Sequence, residues 1–298
     1  MRLLRVFLTV AAACLSFPAT AQEKLPVVAS FSILGDFVQN VGGSRVALTT
    51  LVGPDGDAHV YSATPADAKK VADARVVFTN GLGFEGWLER LVKASGTKAP
   101  LVAVTKGIKP RAMSGGQGHG HSHEADPHAW QSVTNVKIYI ANIRDALISA
   151  DPAGKAEYEA NASAYLAKLD LLEKDIRAGV ASVPPGRRKI ITSHDAFGYF
   201  QAAYGVEFIA PQGVSTETEV SARDLARIIR QIKSQKIPAV FLENVSDPRL
   251  VRRISEETGA KIGGTLFSDA LSGPQGAAPT YIDMMRHNVK QLAEALMS

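Results

Sequence analysis

Between residues 152 and 180 an apolar or aromatic side chain recurs every three or four positions, at Tyr158, Ala162, Tyr165, Leu169, Leu172, Ile176 and Val180. That period lines one face of an α-helix. Asp151-Pro152 offers a cap and a first-turn proline, and Gly179 with Pro184-Pro185 ends the run. At ~1.5 Å per residue such a helix reaches about 40 Å, longer than a crossover between neighbouring strands needs. Because strand-helix alternation starts afresh after it, the stretch reads as a rigid strut between two α/β units.

Before the strut, apolar β-type runs at 27–33, 47–52, 76–79 and 101–104 alternate with helical patterns. Thr64-Pro65-Ala66-Asp67 marks one helix start, with a capping hydroxyl, a proline that needs no amide partner and a carboxylate at the positive end. After the strut, strands are expected at 189–192, 206–209, 239–242 and 262–267. Ser221 and Asp224 open one helix there, Asp247-Pro248 open another that stops at Gly259, and a last helix runs from about 280 to 297. Strand followed by helix followed by strand implies parallel β-α-β units. The expected fold class is therefore α/β, with two lobes, each a parallel-type sheet with helices on both faces, joined by one long backbone helix. The expected division is 22–150 for the first lobe, 151–183 for the connecting helix and 184–298 for the second lobe. No convincing sequence repeat links the halves.

Residues 1–21 follow different rules. Arg2 and Arg5 precede the apolar run 6–17, and Ala19-Thr20-Ala21 has the small-x-small form of a signal-peptidase site, so export with cleavage after Ala21 is expected. Cys14 is the single cysteine, in a setting that only faintly resembles a lipoprotein cleavage site. Cleavage after Ala21 removes it, so a metal site in the mature chain must use nitrogen and oxygen. It also takes the formal charge from +4 to +2 through loss of two arginines, too little to suggest a nucleic-acid partner. The mature chain is expected to be periplasmic, or in an equivalent extracytoplasmic space, and monomeric.

Four of the seven histidines fall between Gly115 and Trp130, in GGQGHGHSHEADPHAW. His119, His121 and His123 sit on a Gly-rich loop at about 114–125, whereas His128 belongs to an Asp-Pro-His-Ala-Trp motif. Short His-rich tracts bind metal weakly, and the three loop histidines are expected to be accessory. Elsewhere His59, His194 and Asp269 each stand just past an expected strand. In open α/β sheets that edge borders the ligand crevice. With His128 this places two candidates in each half, facing a cleft between lobes.

Singly, each would be an ordinary polar or turn residue. Together, three imidazoles and a carboxylate satisfy a tetrahedral Zn(II) and leave no position for a catalytic water. That argues for capture of an ion over hydrolysis, although a secreted zinc metallohydrolase is the alternative of another class. Ser193-His194-Asp195 is no triad, since triad members meet through the fold. Gly81-Leu82-Gly83 reads as a turn and His287 as a solvated residue of the last helix. Asp57, Asp126, Asp195 and Glu243 are candidates for orienting the imidazoles.

The segments DGDAHVYSATPAD at 55–67, NGLGFEGWLERL at 80–91, DPHAW at 126–130, SHDAFGYF at 193–200 and FSDAL at 267–271 carry a resemblance. They resemble the metal-binding proteins of bacterial zinc and manganese ABC importers, over nearly all of the mature chain. The resemblance implies two lobes joined by one long helix, an ion between them, and delivery to a membrane permease. It matches His59, His128, His194 and Asp269 to the family's four metal positions, and the His-rich loop to that of zinc-selective members, though shorter. Manganese members generally carry glutamate where this chain has His194. Imidazole there favours zinc, whereas Mn(II) prefers more oxygen ligands. Zn(II) is thus the expected cargo, with manganese or mixed binding as the alternative, an ABC permease as partner and a periplasmic zinc chaperone as a further one.

Overall fold

The computed structural model describes residues 23–112, 125–217 and 220–297. The signal segment with Cys14 and Ala21, and the loop histidines His119, His121 and His123, lie outside the described residues.

The first sheet contains β1 (Leu25–Phe31), β2 (Val46–Val52), β3 (Val76–Thr79) and β4 (Leu101–Ala103), all parallel, in the order β2-β1-β3-β4. Its helices are α1 (Ser32–Gly42), α2 (Pro65–Asp73) and α3 (Leu88–Ser95), followed by α4 (Val133–Ala150). After the long helix α5 (Lys155–Ala181), the second sheet repeats the topology. Its strands β5 (Lys189–Ile191), β6 (Glu207–Ile209), β7 (Ala239–Glu243) and β8 (Lys261–Leu266) are parallel in the order β6-β5-β7-β8. Its helices are α6 (Gly198–Tyr204), α7 (Ala222–Gln235), α8 (Pro248–Thr258) and α9 (Tyr281–Met297). In both sheets the first strand lies inside and the order reverses beside it, so a crevice opens at the carboxyl ends of the strands.

Local chemistry explains most of these boundaries. Thr64 and Asp67 form a reciprocal capping box at α2, an arrangement worth about 1 kcal/mol. Ser221 caps α7 through Asp224 N–H, and α8 ends where Gly259 adopts the left-handed conformation. Two expectations need correction. The run at 27–33 is not all strand: β1 stops at Phe31, because Ile33, Leu34, Phe37, Val38 and Val41 share the buried face of α1. Asp151 does not cap α5. Pro152–Gly154 form a short 3-10 turn first, and the Asp151 carboxylate instead accepts Arg45 Nη2 at 2.7 Å and the Tyr158 hydroxyl at 2.8 Å.

All seven residues of the apolar period in α5 are buried, against α1, α4 and α9. The principal core is continuous through this helix from β1 to α9, and a smaller core lies under α7 and α8. Asp36 on α1 ties the centre together, accepting Tyr165 OH at 3.2 Å and Tyr281 N–H at 3.1 Å. The C-terminal helix α9 is thereby fixed against the first lobe as well as its own.

Candidate metal centre

His59 follows β2, His128 follows β4, His194 follows β5 and Asp269 follows β8. These four side chains each offer a ligand atom within 4.8 Å of all the others. Asp269 is the hub: its Oδ2 lies 2.9 Å from His194 Nε2 and 3.3 Å from His59 Nε2, and its Oδ1 lies 3.6 Å from His128 Nε2. The two nitrogens His59 Nε2 and His128 Nε2 are 3.3 Å apart. His128, His194 and Asp269 have fully buried side chains, whereas that of His59 is 6% exposed, so His59 stands at the mouth.

Two of the three rings have a carboxylate behind them, and the third is held by one through its backbone. Asp126 Oδ1 accepts both the backbone N–H of His128 at 3.0 Å and its Nδ1–H at 2.9 Å. Glu243 Oε2 lies 2.6 Å from His194 Nδ1, and Glu243 Oε1 accepts the backbone N–H groups of Ser193 and His194. Asp57 Oδ1 accepts the backbone N–H of His59 at 2.9 Å. With Nδ1 occupied by a carboxylate, His128 and His194 present Nε2 to the centre. Asp195, the fourth candidate orienter, makes no hydrogen bond to the three rings among the described residues. Its pKa is raised by burial and by the neighbouring Asp126.

The segment 80–87 sets two of the loops. Trp87 Nε1–H donates to Ala58 O at 2.7 Å, just before His59, and Asn80 Nδ2 donates to Pro127 O at 2.9 Å, just before His128. Asn80 is held in turn by Glu85, whose buried Oε1 accepts Asn80 N–H and the Ser30 hydroxyl, both at 2.6 Å, and by the Tyr139 hydroxyl at 2.5 Å. Between them Gly81, Leu82 and Gly83 take positive φ in succession, a turn that brings Phe84 edge-on to His59 at 4.7 Å. The motif itself pointed to the family; the partners Ala58 and Pro127 had no signal in the spacing.

Asp269 is positioned from both lobes. Ser268 O accepts Trp130 Nε1–H and Gln131 Nε2–H, both at 2.9 Å, while Asn288 on α9 brackets Phe267 through its N–H and its carbonyl. His287, expected to be solvated, is half-buried: its Nε2 bonds Thr265 O at 3.0 Å and its ring packs on Phe267 at 5.2 Å. That contact follows from α9 lying along β8, where the polar side of the helix meets a strand carbonyl.

The electrostatics suit a cation. Burial opposes a charged imidazole at His128, but Asp269 and Asp126 outweigh it and lift its pKa to about 9. Burial likewise opposes charge at His194, and Glu243 with Asp269 raises its pKa well above the ordinary value. Asp269 is held well below the usual carboxylate range, because His194 and His128 overcome its burial. Positive charge at the centre is thus stabilised by three buried carboxylates, Asp126, Glu243 and Asp269. The four convergent donors, three nitrogens and one carboxylate oxygen, are of the kinds that divalent metal ions take.

Comparison with known proteins agrees with this architecture. A family model described as the periplasmic component A of zinc-uptake complexes matches residues 27–295. The manganese-binding lipoprotein MntA of Halalkalibacterium halodurans is 36% identical over 274 residues, 92% of this chain and 89% of that protein. The iron-binding protein YfeA of Yersinia pestis is 34% identical over 277 residues, 93% of this chain and 88% of that one. Among solved structures, the periplasmic zinc binding protein TroA from Treponema pallidum superposes with a TM-score of 0.84 at 32% identity, covering 92% of this chain and 99% of that one. The Mn-bound periplasmic metal binding protein from Candidatus Liberibacter asiaticus scores 0.82, at 33% identity and 92% and 100% coverage. Neither enzyme nor permease, the chain belongs to the family of the zinc-uptake component A, whose members are metal-binding receptors that serve a permease in ABC importers.

Proposed function

We propose that this protein captures Zn(II) outside the cytoplasm and delivers it to a cognate ABC permease, with His59, His128, His194 and Asp269 as the ligands. One observation carries the reading: three imidazole nitrogens and one carboxylate oxygen converge within 4.8 Å. Nitrogen at three of four positions favours zinc over manganese, and a closed tetrahedral set suits transport better than turnover. The relatives are named for manganese, iron and zinc, so the donor set of this chain is what supports zinc.

Because a mixed site binds Zn(II) more tightly than Mn(II) whatever its cargo, bound metal alone is a poor test. The deciding experiment is growth of a deletion strain under chelation. Rescue by the wild-type gene should depend on zinc supply, and the His194→Ala gene should fail. Rescue that tracks manganese supply alone would overturn the assignment. Manganese is the second reading, favoured by the manganese-binding relative at 36% identity and the Mn-bound structural neighbour.

Export by the segment 1–21 with cleavage after Ala21, and the division at 151–183 into lobe, connecting helix and lobe, belong to the same proposal. Mass spectrometry of the protein from its native host should find Gln22 at the mature amino terminus; a lipid on Cys14 would replace soluble export with tethering. Within this scheme His119, His121 and His123 gather zinc weakly, from solution or from a periplasmic zinc chaperone.

A further inference from the structure

Asp57 joins two loops that belong to opposite lobes. Its Oδ1 accepts the backbone N–H of His59 at 2.9 Å, and its Oδ2 accepts the Thr216 hydroxyl at 2.6 Å across a sequence separation of 159 residues. Thr216 lies between β6 and α7, on a segment bonded to both neighbours of His194. Gln212 N–H donates to Ser193 O at 3.2 Å, and Asp195 N–H donates to Gly213 O at 3.1 Å. The same turn of the first lobe is secured twice more. Asp55 N–H donates to Leu271 O at 2.8 Å, two residues beyond Asp269, and Asn244 Nδ2 donates to Asp55 Oδ1 at 3.1 Å. The loop that carries His59 is therefore fastened to the loops that carry His194 and Asp269 by bonds that do not involve the ligand atoms.

We propose that Thr216 is a positioning residue that acts through Asp57 to hold His59 over the cation and so sets the rate at which the cation leaves. This rests on the assignment of His59 as a ligand. His59 is the one ligand with an exposed edge, so loss of the ion begins with displacement of its ring. That displacement moves the 55–59 turn, and the Asp57–Thr216 bond resists it. The bond has a charged acceptor, so its removal is expected to raise the frequency of opening on the order of tenfold. Such a change falls mainly on dissociation. Thr216 touches no ligand atom, so the donor set stays the same.

The test uses the mature protein loaded with Zn(II), with release followed by stopped-flow capture in a chromophoric chelator. Thr216→Val keeps the shape and removes the hydroxyl, whereas Thr216→Ser keeps the hydroxyl. Visible absorption of the Co(II)-loaded proteins reports the donor set, and thermal melting reports the fold. Thr216→Val should release zinc on the order of tenfold faster than wild type with an unchanged Co(II) spectrum, and Thr216→Ser should release it at the wild-type rate. Wild-type release from Thr216→Val, or equally fast release from both variants, overturns the proposal. Retention of wild-type zinc affinity by His59→Ala is a distinguishable failure: it overturns the ligand assignment, and the positioning role with it.

Discussion

Glu243 holds His194 at two places at once: Oε2 lies 2.6 Å from the ring Nδ1, and Oε1 accepts the backbone N–H of the same residue at 3.0 Å. One buried carboxylate thus holds the backbone by a hydrogen bond and sets its charge against the ring nitrogen that faces away from the centre. In Glu243→Gln the amide oxygen can still accept the backbone N–H groups, but its NH₂ faces Nδ1. That forces the ring proton onto Nε2, the atom needed for the ion. Zinc affinity is expected to fall about 10- to 100-fold, measured by chelator competition, with the far-UV spectrum unchanged. Unaltered affinity would show that the ring is oriented by something other than this carboxylate.

In the proposed site His194 is the donor expected to set the choice of metal. His194→Ala removes one of four donors without touching the core of either sheet, so a strong loss of zinc affinity is expected while the protein stays folded. His194→Glu is the more informative change. A second carboxylate hardens the donor set, so the ratio of Zn(II) to Mn(II) affinity should fall, chiefly through weaker zinc binding. Calorimetry of both metals on one preparation measures the ratio. An unchanged ratio would mean that position 194 does not discriminate between them.

The four convergent side chains were legible in the sequence because strand ends, turns and helix starts are local. Thr64, Pro65 and Asp67 announce α2 in four residues, and Ser221 with Asp224 announces α7. The helices α1 and α4 have no such signature. Phe31 and Ser132 make no side-chain capping bond, and α1 grows directly out of a strand, so its apolar face reads as strand continuation. Long-range partners were equally silent. Asn80 meets Pro127 across 47 residues and Trp130 meets Ser268 across 138, and spacing encodes neither. Asp126 and Glu243 read as carboxylates near the site, but only the fold assigns the first to His128 and the second to His194 and leaves Asp195 aside.

The residues flanking the segment that contains His119, His121 and His123 are bonded to each other. Ala112 and Ala125 form an antiparallel bridge, and Asp126 N–H donates to Arg111 O at 2.9 Å. Removing residues 115–124 therefore leaves the His128 loop anchored by its own bonds to Asn80 and Asp126. The deleted protein should keep one tight zinc site of wild-type affinity in equilibrium dialysis and lose only weaker additional stoichiometry or uptake rate. Loss of the tight site would place at least one of His119, His121 and His123 among its ligands.

Protons and the ion compete for the same nitrogens. His128, lifted to about 9, and His194, raised well above its ordinary value, are protonated near neutral pH in the metal-free protein, whereas the depressed Asp269 stays charged. Zinc binding at this site must expel protons, so affinity should rise with pH below about 9, by about tenfold per pH unit for each proton displaced. Stability of the metal-free protein runs the other way. The raised histidines contribute most below 6.5, and the His128 contribution is lost as pH rises through about 9. The depressed Asp269 contributes fully above 3.8, and its share is lost only as pH falls through its lowered folded value. Metal-free protein should therefore show its highest melting temperature between about 4 and 6.5, while zinc-loaded protein gains stability as pH rises from about 6 toward 8. Parallel melting temperatures for the two forms across that range would show that the protons sit elsewhere than on His128 and His194.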